Sequence, residues 1–239
     1  MTGREPEWRV DRRTGDAAAL HADWPEAAAR PADRAVGVCR VTHPCLVLGS
    51  TQSEAVVDTG RAAARGIGVA RRRSGGGAVL VTPADPVWVD VWLPAGDPLW
   101  HPDVGRSFDW LGNLWVAALT GAGVAGLSAH RGRPGAGSTW SSLVCFGAVG
   151  SGEVVTDDGR KVVGLAQRRS REGAWFHGAC VLRWDPAPLV DLLALSAADR
   201  AAAVRSLRRS AAGVADLGDG AGGMVTRQGV VDALLAAFP

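Results

Sequence analysis

Lys161 is the only lysine in a chain of 239 residues whose lysines and arginines total 26. Arginine fills every other cationic position, so the exception belongs where a guanidinium will not serve. Lysine offers a compact point charge on a flexible stem, and its pKa moves readily on burial. It stands in Asp157-Asp158-Gly159-Arg160-Lys161-Val162-Val163-Gly164-Leu165-Ala166-Gln167. Read as a strand, this run puts Lys161, Val163, Leu165 and Gln167 on one face. The ammonium is then either an edge charge that deters strand pairing or a half-buried cation awaiting an anion. Gly164, on the opposite face, points to close approach of backbone or ligand. A second constellation is Arg71-Arg72-Arg73-Ser74-Gly75-Gly76-Gly77-Ala78-Val79. Three glycines in a row are either a plain turn or a cradle of bared amides for an anion, and the arginines add charge for phosphate or carboxylate. The run is not a P-loop, which needs Gly-Lys-Ser/Thr entering a helix; these glycines enter an apolar, strand-like segment. A third is Trp175-Phe176-His177-Gly178-Ala179-Cys180, whose histidine on its own reads as a satisfied strand residue. Neither Cys39, His43 and Cys45 nor His177 and Cys180 follow a standard zinc spacing, and no metal is expected.

The elements that must position these groups follow from periodicity and breakers. Val36–Leu48 reads as strand interrupted at Thr42-His43-Pro44, and Ser53 caps a helix running to Arg65. Short strands are expected over Ile67–Arg71 and Ala78–Val81. Val87, Val89, Val91 and Leu93 alternate on one face of a further strand. Helical spacing covers Arg106–Thr120, and Leu20–Ala29 suits a short helix. Leu143–Phe146 is a strand candidate, followed by a meander of Glu153–Thr156, Arg160–Arg168 and Ala174–Trp184 with turns at Asp157-Asp158-Gly159 and Glu172-Gly173. Residues 131–139 read as loop and 218–223 as a Gly-rich break between C-terminal helices. Strands and helices mix without regular alternation, so the expected class is α+β. Residues 1–35 read as an N-terminal extension, 36–190 as the catalytic unit and 191–239 as a C-terminal helical segment packed on it. Apolar residues make up 47% of the chain and charged ones 21%, enough for a sizeable core. A net charge of +2 and no recognition motif argue against nucleic acid. No window of about 20 apolar residues is present, so no membrane span is expected. The first seven residues lack a signal peptide's apolar core, so the expected location is the cytoplasm, with the four cysteines reduced.

Taken together, these motifs resemble the lipoate–protein ligase and octanoyltransferase family of the biotin/lipoate protein ligase group. Leu48-Gly49-Ser50-Thr51-Gln52, Arg71-Arg72-x-Ser74-Gly75-Gly76-Gly77-Ala78-Val79, Gly159-Arg160-Lys161-Val162-Val163-Gly164-x-Ala166-Gln167 and His177-Gly178 agree with it in order, spacing and type. The resemblance implies a mixed, largely antiparallel sheet flanked by helices that holds a fatty-acyl chain. It also implies that an octanoyl or lipoyl group is joined to a lysine of a lipoyl carrier domain. Arg72, Ser74, Gly75, Gly76, Gly77, Ala78, Gly164, Ala166, Gln167, His177 and Gly178 would contact substrate. Lys161 would contact the acyl carbonyl or a phosphate.

Two chemistries share that framework. The ligase branch uses ATP and magnesium to make an acyl-adenylate, and carries an Asn-Asp pair ahead of the lysine. Here the segment reads Val144-Cys145-Phe146-Gly147-Ala148-Val149-Gly150-Ser151-Gly152-Glu153, without that pair. It looks instead like the cysteine-dependent octanoyltransferases, which carry Cys-Phe and then a Glu before Gly-Arg-Lys. Cys145 would attack a thioester on an acyl carrier protein and form an acyl-enzyme. Lys161 would favour the thiolate and hold the oxyanion. The acyl group would then pass to a lipoyl-domain lysine without a cofactor. Arg71–Arg73 and Arg168-Arg169-x-Arg171 suit an acidic carrier. The segment Leu80–Asp85 lacks the family's His-Asp pair, and Gly147–Ser151 replaces a Pro-Ser-Trp-Tyr-like run; a non-catalytic acyl- or carrier-binding protein is the third alternative.

Overall fold

The computed structural model describes residues 8–22, 33–132, 138–217 and 225–239. In chain order they form β1 (Arg9–Gly15), α1 (Ala17–Ala22), β2 (Ala35–Val41), β3 (Cys45–Leu48), α2 (Thr59–Ala64), β4 (Gly68–Arg71), β5 (Val79–Val81), β6 (Val87–Pro94), α3 (Asp109–Gly121), β7 (Leu127–Ala129), β8 (Val154–Thr156), β9 (Lys161–Arg169), β10 (Gly173–Cys180), α4 (Ala187–Asp191), α5 (Ala197–Leu207) and α6 (Arg227–Ala237). A seven-stranded sheet runs β1-β2-β6-β10-β9-β8-β7, and a three-stranded one β4-β3-β5. The large sheet is antiparallel except where β1 lies parallel to β2. This is the expected α+β class with a mixed, largely antiparallel sheet.

Strand periodicity divides the large sheet into a core face and a second face. Val87, Val89, Val91 and Leu93 of β6 join Ala174, Phe176 and Cys180 of β10 beneath α3 and α6 in the main core. That face is sealed by Leu111, Trp115 and Leu119 of α3 and Val230, Val231 and Leu234 of α6. The intervening residues Trp88, Asp90 and Trp92 pair across with Ala179, His177 and Trp175, so they share the opposite face. Against it lies the small sheet: Trp88 clusters with Val47 of β3, Ala70 of β4, Val81 of β5 and Leu20 of α1. The second face is thus lined by aromatic and ionisable side chains under a lid of short strands.

Several elements differ from the sequence reading. The helix after Ser53 is split: Glu54–Val56 is a single 3-10 turn, and α2 starts anew with Asp58 accepting from the Arg61 amide. Leu143–Phe146 is no strand. Val144 makes one bridge to Ala78, and Cys145–Gly147 then tightens into a 3-10 turn. The α1 helix begins at Ala17 rather than Leu20, and residues 23–32, where the rest of that helix was expected, lie outside the described residues. So do 133–137 of the expected loop and 218–224 around the Gly-rich break. Arg9–Gly15, within the expected N-terminal extension, forms β1. No described helix is long and apolar enough to cross a membrane.

Candidate active site

Lys161 opens β9 at a register irregularity: Val154 faces Val163 while Val155 faces Lys161. One residue more on β9 than on β8 makes a bulge, which re-aims side chains. Lys161 therefore abandons the simple alternation, and its Cε and Nζ lie 3.2 and 3.5 Å from where a Cβ on Gly164 would be. The C-terminal segment holds its backbone from the other side: the Lys161 amide donates to Ser210 O, and Ala212 donates to Lys161 O, both at 2.9 Å.

The ammonium is 2% exposed. It donates to Glu153 Oε1 at 2.7 Å, Cys145 O at 2.8 Å and Ala148 O at 3.2 Å, with Cys145 Sγ at 3.8 Å and the Phe146 ring 5.1 Å away. Burial alone would lower its pKa, but attraction to Cys145 and Glu153 outweighs burial and holds it above the ordinary lysine range. Glu153 is equally committed. Its Oε1 also accepts from the Leu165 amide at 3.0 Å, and its Oε2 from Gly150 N at 2.6 Å. The sequence reading placed this glutamate in a motif without giving it a role; the spacing of Cys145, Glu153 and Lys161 was the available signal.

The glycine loop reaches the same place through Cys145. Ala78 N donates to Leu143 O at 2.8 Å, and Cys145 N donates to Ala78 O at 3.0 Å. Gly77 permits this approach, since a Cβ there would fall 2.6 Å from Val144 C and 2.7 Å from Cys145 N. Arg72 is buried, and its Nη2 donates to Gly75 O at 2.8 Å and Gly77 O at 2.9 Å. The guanidinium thus gathers the loop's carbonyls, and the amides of Gly75, Gly76 and Gly77 donate to no acceptor among the described residues. Ser74 is also buried, and its hydroxyl has no partner among the described residues.

Between the sheets lies a hollow of about 450 Å³, its open mouth included. Of the residues singled out in the sequence, Arg72, Cys145, Gly164, Ala166, His177 and Gly178 line it, together with Val47, Val79, Val81, Trp88 and His21. Lys161 sits behind Cys145 and Gly164. Ser74, Gly75, Gly76, Gly77 and Ala78 stand beside the hollow rather than on its wall. Gln167 is not brought into it: Ser107 and Arg169 hold its Oε1, each at 3.1 Å. Two further groups, one on the wall and one behind it, gave no usable signal in the sequence. His21 arrives from α1, and Asp90 of β6 reaches the site through His177, its Oδ1 2.8 Å from Nδ1. Among the described residues no group of three or more His, Cys, Asp or Glu is arranged to hold a metal ion.

The family model for the lipoyl protein ligase A/B catalytic domain matches residues 26–239. The chain belongs to that family. Solved structures agree in fold. A bipartite lipoate protein ligase from Thermoplasma acidophilum, described with its E2 lipoyl domain, superposes with a TM-score of 0.72 at 21% identity, covering 97% of this chain and 83% of that one. A lipoate-protein ligase A bound with ATP gives 0.72 at 21%, covering 97% and 84%. Protein Ta0514 of T. acidophilum with bound lipoic acid gives 0.70 at 20%, covering 97% and 84%. No curated protein sequence matches the chain. As a lipoyl protein ligase A/B domain the chain is an enzyme of a family that acts on lipoyl or octanoyl groups. Its ammonium and its glycine loop both contact the Cys145 segment, whose thiol lines the hollow.

Proposed function

We propose that this enzyme attaches an octanoyl or lipoyl group to a lysine of a lipoyl carrier domain by thioester transfer through Cys145. The observation that carries the reading is the placement of Cys145 Sγ 3.8 Å from Lys161 Nζ, on the wall of an apolar hollow. The other three cysteines are buried. Burial pushes Cys45 up to about 11 and also raises Cys39 and Cys180 well above the ordinary thiol range, which suits inert thiols. Cys145 alone is part-exposed beside a cation. A carrier thioester entering the hollow would place its carbonyl at this thiol, with the free amides of the glycine loop as oxyanion donors and the ammonium, its three donors already taken, contributing only its charge. The S–C bond to the carrier breaks as the bond to Cys145 forms, and the carrier leaves as a thiol. An acceptor amine then releases Cys145.

ATP-dependent ligation through an acyl-adenylate is the second reading, favoured by the unpartnered amides of the glycine loop. The donor set around Lys161 does not fit magnesium. Both oxygens of Glu153 are taken by Lys161 and two amides, and no Asn-Asp pair precedes the lysine. Incubation with octanoyl acyl carrier protein, without ATP, followed by intact-mass measurement tests the choice. An added octanoyl group that disappears on mixing with a lipoyl domain is expected. Pyrophosphate release dependent on octanoate or lipoate, without a protein adduct, would replace transferase by ligase. Binding without either reaction would leave a non-catalytic acyl-binding protein.

A further inference from the structure

A protein lysine presents itself as an ammonium, and an ammonium cannot attack a thioester. Something in the hollow must take its proton. Lys161 cannot: it is a charged donor with three oxygen acceptors already in place. Glu153 has both oxygens engaged, and Arg72 is a cation bound to carbonyls. Two lining side chains remain with a buried nitrogen that has no partner among the described residues, His177 Nε2 and His21 Nδ1.

They differ in what holds them. His177 Nδ1 is 2.8 Å from Asp90 Oδ1. Asp90 is fully buried and also accepts from Trp88 Nε1 at 2.6 Å, with Arg13 Nη1 3.5 Å from its other oxygen. A carboxylate accepting there puts the ring proton on Nδ1 and leaves the lone pair on Nε2. His21 lies against Trp88, its ring centroid 4.3 Å away, and burial, with His177 and two arginines nearby, pushes its pKa well below the ordinary range. Among the described residues it also lacks a carboxylate contact of the kind that orients His177. His177 also stands beside cleared ground, because its partners across β9 and next along β10 are Ala166, Gly178 and Ala179.

We propose that His177, oriented by Asp90, is the general base of the second half-reaction, taking a proton from the acceptor lysine as it attacks acyl-Cys145. This deepens the thioester reading and rests on it. The C–S bond of acyl-Cys145 breaks and a C–N amide bond forms. Of the two protons the acceptor ammonium loses, one passes through Nε2 to the Cys145 sulfur and the other goes to water. His177 is the catalytic residue, and Asp90 is a positioning residue that selects the tautomer.

The test separates the half-reactions. His177→Gln and Asp90→Asn are loaded with octanoyl acyl carrier protein, and discharge is followed by intact mass against two nucleophiles. One is a lipoyl domain; the other is hydroxylamine, largely uncharged at neutral pH and in no need of a base. Loading within about 3-fold of the parent is expected, with discharge to the lipoyl domain slowed by about 10²–10⁴-fold and discharge to hydroxylamine retained. A variant that discharges to both at the parent rate overturns the assignment. So does one that loses both equally, which marks a structural role, or one that cannot be loaded. Either folded variant suffices. If the parent chain itself takes no acyl group from the thioester, the transferase reading fails and the inference with it. If the parent loads and the variants do not discriminate, only the inference fails.

Discussion

At the scale of single residues, charge and proximity decide what each group can do. Cys145→Ser should leave folding stability within about 1 kcal/mol, since it is a conservative change at a part-exposed site, yet abolish the octanoyl adduct. Retention of transfer in that variant, read by mass on the acceptor, would remove Cys145 from the mechanism. Lys161 and Glu153 form a buried pair, with side chains 2% and 6% exposed. Lys161→Met should therefore cost about 3–5 kcal/mol in urea denaturation, because it strands a carboxylate in the interior. Adding Glu153→Gln should restore part of that loss. Lys161 was legible because the composition isolates it. Cys145 was legible only through the company it keeps, since a lone thiol is more often packing material. Asp90 was not legible at all: an aspartate amid tryptophans on a strand announces no partner until the sheet brings His177 opposite it.

Among the elements, the contact between the glycine loop and the Cys145 turn sets the geometry of the site. Gly77→Ala would drive a methyl group to within 2.6 Å of Val144 C. Overpacking of this kind costs about 1–3 kcal/mol, and here the backbone must part, moving Cys145 away from Ala78. Loading by octanoyl carrier should fall at least 10-fold while a folded, cooperative unfolding transition persists; unchanged loading would show that the two segments adjust independently. Alternation made β6 and β10 readable in advance, because their core faces repeat apolar residues every second position. The 143–147 segment misled the reading for a physical reason. Its apolar run Leu143–Phe146 looks like a strand, but only one rung pairs, and the polypeptide turns to deliver a thiol. The bulge opening β9 was equally hidden, as register depends on β8 and not on local sequence.

For the whole molecule, residues 9–22 are integral to the fold. Strand β1 extends the large sheet, and α1 carries His21 into the hollow. The alternation of β1 is hard to read because it is written in charges: Arg9, Asp11 and Arg13 are the half-buried positions, and Arg13 reaches Asp90. This has a measurable signature. His21 has a folded-state pKa well below 6.5, so on acidification the unfolded chain takes up the proton first. Stability is then retained above about pH 6.5 and lost below it, by up to about 1.4 kcal/mol per pH unit. The fall in urea midpoint between pH 7.5 and 5.5 should be shallower in His21→Gln, and equal slopes in the two proteins would place that titration elsewhere. The solitary lysine has a corollary for any catalyst that builds amides on lysyl side chains. Sealed behind Cys145 and bound to Glu153, its amine offers no foothold, and no second ε-amine exists on the surface to intercept the activated acyl group. The native fold is thereby spared self-labelling at its own lysyl side chains, and acyl mass gained without ATP points to sulfur rather than to a bystander lysine.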